Sequence, residues 1–535
     1  LKLAGRLDPT YETMLNVMTT QIGVLISNPK VDGVDPKGDW FMVIFSSGSA
    51  GPPAVAFGIP FSDEQKLKSA TVGNFTFVKH EKYLFYSEDD SAAQKIQSRV
   101  KDEGQSIVSQ IDRASQALMN RCDLSIYLNM KQVNEQYKPV LDIASEEIDK
   151  AINEWKTLVP AEPELDLEPV FGMYGEMAHA VLQAVRDTEG YAFGVEASLR
   201  GANIEQYVRL ASGSSTDIFL QSQTTSDMKD LERLPADKLM YFALHGDFTA
   251  LTQWSTKFAT AMMQDEEDKK AMQEALAVQS KIKYSGYQMS FGLGSPEQGA
   301  LQMTMVTKAE PTDLVREMTR KTATLMQKMN LGGGNQKLEL ELKPDAEKYG
   351  RYNADVLTMK IETEKAENDP FNIQEQMDKM MTAMYGPDGM TQRIVYTGDR
   401  TIQTLGGGKD TMEEALKALD AVRPTDAKSS PLQQTRAALP EKTNMLFFID
   451  VPGLATRAAT LLLEGAQGSE NMTFQFPIDA EALKGLDIKP SYLGSSLTVG
   501  TASIASTTYI PIEQIEGINK LIGLFRSATP APAQP

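Results

Sequence analysis

Histidine changes charge near neutral pH and is the commonest metal ligand, so acid–base or metal chemistry shows first in its spacing. The chain has three, His80, His179 and His245, spread far apart, with no H-x-x-x-H or H-E-x-x-H among them. Nothing local could therefore chelate zinc from one helix face. His245 has Asp247 two residues on, a spacing that could orient an imidazole as a general base. The matching positions of two related segments, described below, are not histidine, so His245 reads as structural. His80 falls in a hairpin turn, and His179 reads as a helix-surface or half-buried residue. A serine nucleophile would be sought in a G-x-S-x-G elbow; none is present, and Gly213-Ser214-Ser215 and Gly494-Ser495-Ser496 read as turn or strand serines.

Two glycine runs, Gly332–Gly334 and Gly406–Gly408, suggest a phosphate cradle. The second precedes a helix, but Asp410 stands between Lys409 and Thr411 and breaks the G-x-x-x-x-G-K-[ST] spacing. A carboxylate there opposes a phosphate, so this run reads as a hairpin exit. The acidic clusters Glu88-Asp89-Asp90 and Asp265-Glu266-Glu267-Asp268 lack the alternating calcium-loop pattern and read as solvated loop ends or helix starts. Cys122 is the one cysteine, so no intrachain disulfide forms; it reads as a small apolar residue beside a strand. The sequence thus assigns no catalytic, no cofactor-binding and no metal-binding residues.

The elements that would hold any site are more legible. Leu234-Pro235-Ala236-Asp237-Lys238-Leu239-Met240-Tyr241-Phe242-Ala243-Leu244 has relatives at Leu439–Ile449 and at Asn120–Leu128. Each is a polar stop followed by a run of consecutive apolar residues, which implies a strand covered on both faces, central in its sheet. A helical stripe follows each one: Val133, Tyr137, Val140, Ala144, Ile148, Ile152 and Trp155; Leu251, Trp254, Phe258, Ala261 and Met262; Leu454, Ala458, Leu461 and Leu462. Spacings of three and four residues place each set on one helix face, and Pro139 should kink or restart the first helix. Alternating hairpins come next, at Gly190–Ala197 with Ile204–Leu210, Gly286–Leu293 with Ala300–Val306, and Ser491–Val499 with Ser506–Ile510. A helix follows the last two; after the first, Thr216–Leu220 reads as a further strand. A second hairpin type, Phe75–Val78 with Tyr83–Tyr86 and Arg393–Tyr396 with Thr401–Thr404, precedes helices near Ser91 and Lys409.

The expected fold is α+β: tandem repeated units of antiparallel hairpins with long amphipathic helices packed on the sheets. The expected organisation is an N-terminal unit over 1–119, a first repeat over 120–233 and a second over 234–350. A helix and hairpin unit over 351–438 precedes the third repeat, 439–526, and a Pro/Ala-rich disordered tail occupies 527–535. The acidic, Pro-rich stretch Val159–Pro169 reads as extended.

Composition narrows function. The net charge of −19 repels phosphate backbones and anionic lipid, which argues against nucleic acid as a partner. No stretch reaches the ~18 apolar residues that cross a bilayer. Twenty-seven methionines, clustered at Met262, Met263 and Met272 and at Met377, Met380, Met381 and Met384, fill irregular cores or line a groove for an apolar ligand. Cysteine poverty fits a reducing cytosol or an exported bacterial protein. In the style of its repeated phrase and its Pro/Ala tail the chain resembles exported proteins of environmental bacteria, which implies an extracytoplasmic site, periplasm or cell surface. The expectation is a non-enzymatic structural or protein-interaction module that binds a protein partner or itself, self-assembling in a cell envelope. A carrier of a lipid or other apolar ligand is the first alternative, and a hydrolase with a dispersed site the second.

Overall fold

The structure, a computed structural model, describes residues 20–45, 53–101, 111–158, 168–249, 266–328, 336–363, 373–387, 389–421, 430–467 and 480–528. The helical stripe at 251–262, the residues 159–167, Gly332–Gly334, Asp265 and the tail from 529 lie outside them. The chain divides into two compact units. One comprises the chain up to Cys122 together with Ala197–Leu199; the other holds Asp123–Glu196 and the chain from Arg200 on.

The first unit contains an antiparallel sheet of β1 (Phe41–Phe45), β2 (Ala54–Pro60), β3 (Thr76–His80) and β4 (Tyr83–Ser87) in the order β1-β2-β4-β3. Alternation drives its packing: Leu84 and Tyr86 point inward from β4 and bury against Ile26, Ile59 and Leu67. The Tyr86 hydroxyl donates to the Ile26 carbonyl at 2.6 Å.

The second unit is built on a single sheet of 13 strands. In chain order they are β5 (Leu124–Leu128), β6 (Thr188–Ser198), β7 (Gly201–Leu210), β8 (Met240–His245), β9 (Lys283–Leu293), β10 (Leu301–Glu310), β11 (Gln336–Tyr349), β12 (Tyr352–Thr363), β13 (Met390–Thr397), β14 (Arg400–Leu405), β15 (Met445–Ile449), β16 (Leu493–Gly500) and β17 (Ser503–Pro511). In space the order is β11-β12-β13-β14-β10-β9-β8-β15-β16-β17-β7-β6-β5. The strands of this sheet pair antiparallel, so the class is α+β. The segments 120–233, 234–350, 351–438 and 439–526 all contribute strands to this one sheet.

Three stretches share one order of elements. Among the described residues a strand, then one to three helices, a hairpin and a helix follow one another from β5, from β8 and from β15. At the centre of the sheet β8 lies antiparallel to β15, with Phe242 opposite Phe447, Met240 opposite Ile449 and Leu244 opposite Met445. Phe242 and Phe447 hold the same place in the two copies of the phrase, so a local two-fold axis passes through this pair. The flanking bonds obey it: the His245 amide donates to the Asn444 carbonyl, and the Asp450 amide to the Leu239 carbonyl, both at 2.8 Å. Tyr241, Ala243, Leu446 and Phe448 turn to one face and are buried there, beneath the helix Gly408–Asp420 and the turn Lys229–Arg233.

Two expectations fail. The phrase was read as a doubly covered, central strand. β8 and β15 are central but wholly buried on one face only, with Met240, Phe242, Met445 and Phe447 half-buried on the other, while β5 ends the sheet and its Leu124, Ile126 and Leu128 are exposed. Residues 216–220 were read as a strand and form the helix Ser215–Gln221 instead. Ser214 caps it by accepting from the Asp217 amide at 3.2 Å, and the Asp217 carboxylate takes the Gly213 and Ala502 amides at 2.8 and 2.9 Å. The Asp217 amide bonded to Ser214 and the Thr216 amide bonded to Asp187 Oδ2 at 3.0 Å satisfy donors of the first turn, and these contacts outweigh the alternation of apolar residues.

Candidate functional site

The constellation richest in chemistry lies on a helical hairpin after β5. Asn129 caps a short helix, Met130–Gln136, and a second helix, Lys138–Leu158, restarts across Tyr137 with Pro139 in its first turn. Proline is tolerated there because that position needs no intrahelical donor. The helix Glu168–Asp187 packs against it. Asn134 Nδ2 donates to the carbonyls of Val185, Arg186 and Thr188 at 2.8, 3.2 and 3.0 Å, closing the orphan end of that helix.

Between the two helices stand Ser145, Asp149 and His179. Asp149 Oδ1 is 2.8 Å from His179 Nε2, and Ser145 Oγ is 3.4 Å from Nδ1. Asp149 and His179 border an open groove of about 660 Å³ that also presents Lys156, Gly172 and Glu176. Serine, histidine and aspartate are the residue types of an acyl-transfer site. The sequence reading missed this meeting, because 34 residues separate Ser145 from His179 and only helix pairing joins them.

The geometry does not serve nucleophilic attack. Ser145 lies inside a helix, where each backbone N–H is consumed by the carbonyl four residues back, so none is aimed at an oxyanion. The Ser–His distance is at the limit of a hydrogen bond, and Asp149 is well exposed. The cluster is a polar tie between helices. Replacing His179 with alanine is expected to cost no more than about 1 kcal/mol, the range of exposed ion pairs, measured by urea denaturation. A loss several times larger would contradict this reading.

The same hairpin carries a second feature, an apolar surface. Val133 on the short helix, Tyr137 at the junction and Val140 on the second helix, with Tyr174, Met177 and Val181 on the helix Glu168–Asp187, are exposed, Val181 to 66%. The reason lies in the helix that follows each β-hairpin. Thr312–Lys328 and Ile512–Ala528 are 17 residues long. The first buries Leu325 against Met272 of the preceding helix, and the second buries Leu521 in a cluster with Leu463. The corresponding Ser215–Gln221 has 7 residues, too few to cover a helix of 20 residues. It exposes its own Ile218 and Phe219.

The other residues singled out from sequence are dispersed. His245 ends β8, and its Nε2 approaches Thr224 Oγ1 at 3.4 Å. Asp247 instead accepts from the amide and hydroxyl of Thr249 at 2.9 and 2.5 Å, so no His–Asp pair forms. Burial holds the His245 imidazole below its ordinary value. His80 is exposed at the end of β3, and Cys122, half-buried and in no disulfide, stands at the end of the helix Arg113–Arg121. Asp89 caps a helix start through the Ser91 and Ala92 amides at 2.7 and 3.2 Å, and Glu266, Glu267 and Asp268 occupy the first turn of another helix.

Gly406, Gly407 and Gly408 form the exit from β14, with φ of 71, 63 and 65°. A Cβ on Gly406 would fall 1.9 Å from the Leu301 carbonyl oxygen, so Gly406→Ala is expected to cost about 2–3 kcal/mol by left-handed strain plus a displaced strand end. Thermal unfolding would show it as a lowered Tm. Met380 and Met384 are exposed on the helix Ile373–Tyr385.

Among the described residues no three His, Cys, Asp or Glu side chains converge to hold a metal ion, and no helix is long and apolar enough to cross a membrane. Compared with known protein families, curated proteins and solved structures, the chain matches none.

Proposed function

We propose that this chain is a non-enzymatic structural or protein-interaction module, extracytoplasmic and associating with protein through the segment that follows Cys122. One observation carries the reading: the apolar face of the helical hairpin stays open because the helix that would cover it is cut short. Monomers rarely leave contiguous apolar surface exposed without a use for it. Sedimentation velocity from nanomolar to tens of micromolar tests this. The native chain is expected to sediment above its monomer mass of 58.9 kDa. Val140→Lys with Val181→Lys is expected to move the association midpoint to at least about tenfold higher concentration. A monomer at every concentration would sink the self-associating form of the reading.

A second reading, carriage of an apolar ligand, has its own support. Met240, Phe242, Met289, Phe291, Met303 and Met305 pair across β8, β9 and β10 on one face, and all six are only half-buried. Methionine-lined surfaces adapt to varied apolar partners. Organic extraction of the purified protein followed by mass spectrometry tests it, and a stoichiometric lipid would place this reading first.

A further inference from the structure

The large sheet ends in two strands of opposite character, β11 and β5. Along β11, Lys337, Glu339, Glu341 and Lys343 alternate with leucines. Its register shifts between Lys343 and Glu347, where Asp345 takes a φ of 51°. Charges and bulges of this kind keep a further strand from adding to an edge. β5 reads Leu-Ser-Ile-Tyr-Leu, with no charge and no proline. Its Leu124, Ile126 and Leu128 are 57, 47 and 42% exposed.

β5 is also the third bearer of the repeated phrase. Leu124 lies opposite Val195 and Leu128 opposite Tyr191 in β6, as Met240 lies opposite Phe291 and Leu244 opposite Tyr287 in β9. Leu124, Ile126 and Leu128 are thus the counterparts of Met240, Phe242 and Leu244. In β8 the side away from its hairpin is filled by β15, the other copy of the phrase, about the two-fold axis through Phe242 and Phe447. In β5 that side is the end of the sheet.

We propose that β5 pairs with β5 of a second copy of this chain, antiparallel about a two-fold axis through Ile126. Leu124 then faces the partner's Leu128, and one sheet runs through both copies. The proposal rests on the interaction-module reading and names its partner. It follows the pairing rule the chain already uses between β8 and β15. The apolar residues opposed across the axis are of the kind that stabilise cross-strand pairs. A two-fold contact closes on itself, so the product is a dimer and not a filament.

Cross-linking tests it. The bonded pairs Leu239–Asp450 and His245–Asn444 flank Phe242 and Phe447, and by alternation that central pair is a non-hydrogen-bonded one. Cα atoms in such pairs lie ~4.5 Å apart, within disulfide reach. Ile126→Cys in a Cys122→Ser background is expected to form a covalent dimer of twice 58.9 kDa under mild oxidation. Glu341→Cys on β11 in the same background is expected to remain monomeric. Ile126→Lys places two like charges on the axis and is expected to sediment as the monomer. Because Ile126 is exposed, these changes leave the fold intact, which circular dichroism checks. The proposal is overturned if Ile126→Cys cross-links no faster than Glu341→Cys, or if Ile126→Lys keeps the native mass. Association that survives Ile126→Lys but is weakened by Val140→Lys with Val181→Lys removes the strand pairing and leaves the broader reading standing. A native chain that is monomeric throughout and never cross-links removes the strand pairing together with the self-associating form of the broader reading.

Discussion

Replacing Asp355 with alanine is expected to destabilise the large unit by about 3 kcal/mol, because it strips the partner from a partly buried guanidinium. Asp355 lies on β12 with its side chain fully buried. It accepts from Arg316 Nε at 2.9 Å and Nη2 at 2.5 Å, and from the Asp345 amide at 2.9 Å. Arg320 stands 3.9 Å away, close enough for charge attraction but too far for a hydrogen bond. Arg316 keeps its pair with the Asp345 carboxylate at 2.8 Å, which holds the loss at the lower end of the range for broken buried pairs.

The pH dependence follows from the same contacts. Burial pushes the Asp355 carboxyl up, and the Arg316 hydrogen bonds, the Asp345 amide and the two arginine charges together pull it further down, so it lies below its ordinary value. A carboxyl lowered in the folded state stabilises above its unfolded value, near 3.9, and the contribution vanishes as pH falls through the folded value. The gap in stability between native chain and Asp355→Asn is therefore expected to be full at pH 7 and to shrink below about pH 4. Urea midpoints at a series of pH values measure it. A gap that stays constant down to pH 2 would show that the carboxylate charge contributes nothing.

Much of this architecture was legible because it depends on local pattern. The consecutive apolar residues of Met240–Leu244 and Met445–Ile449 mark strands central in the sheet, Pro139 marks a helix restart, and three glycines mark the exit from β14. What failed depends on neighbours. Leu124–Leu128 carries the same apolar signal as Met240–Leu244, yet sequence composition does not encode whether a further strand lies alongside. Thr216–Leu220 alternates like a strand, but its fate was decided by the Asp217 carboxylate reaching the Ala502 amide from 285 residues away. The Ser145–Asp149–His179 tie and the Arg316–Asp355 pair were invisible for the same reason. Each joins side chains from different elements, and no spacing rule anticipates them.

Phe448→Ala is expected to cost about 4 kcal/mol, within the range for deleting a fully buried aromatic ring. The ring is wholly buried at the centre of the sheet, between Tyr241 on β8 and Gly494 on β16. Gly494 makes room for it: a Cβ there would fall 3.1 Å from the ring and 2.5 Å from the Thr435 methyl. The surroundings are pinned and cannot close over a hole. The Tyr241 hydroxyl donates to the Pro235 carbonyl at 2.9 Å and accepts from the Lys238 amide at 3.0 Å. The Tyr492 hydroxyl donates to the Lys238 carbonyl at 2.6 Å. A cavity that cannot collapse puts the cost in the upper half of the range. The urea midpoint should fall with the slope unchanged. Met445→Ala, on the half-buried opposite face, should cost less than half as much. Equal losses at the two positions would mean that the two faces of the seam are packed alike, and the asymmetry on which the second functional reading rests would disappear.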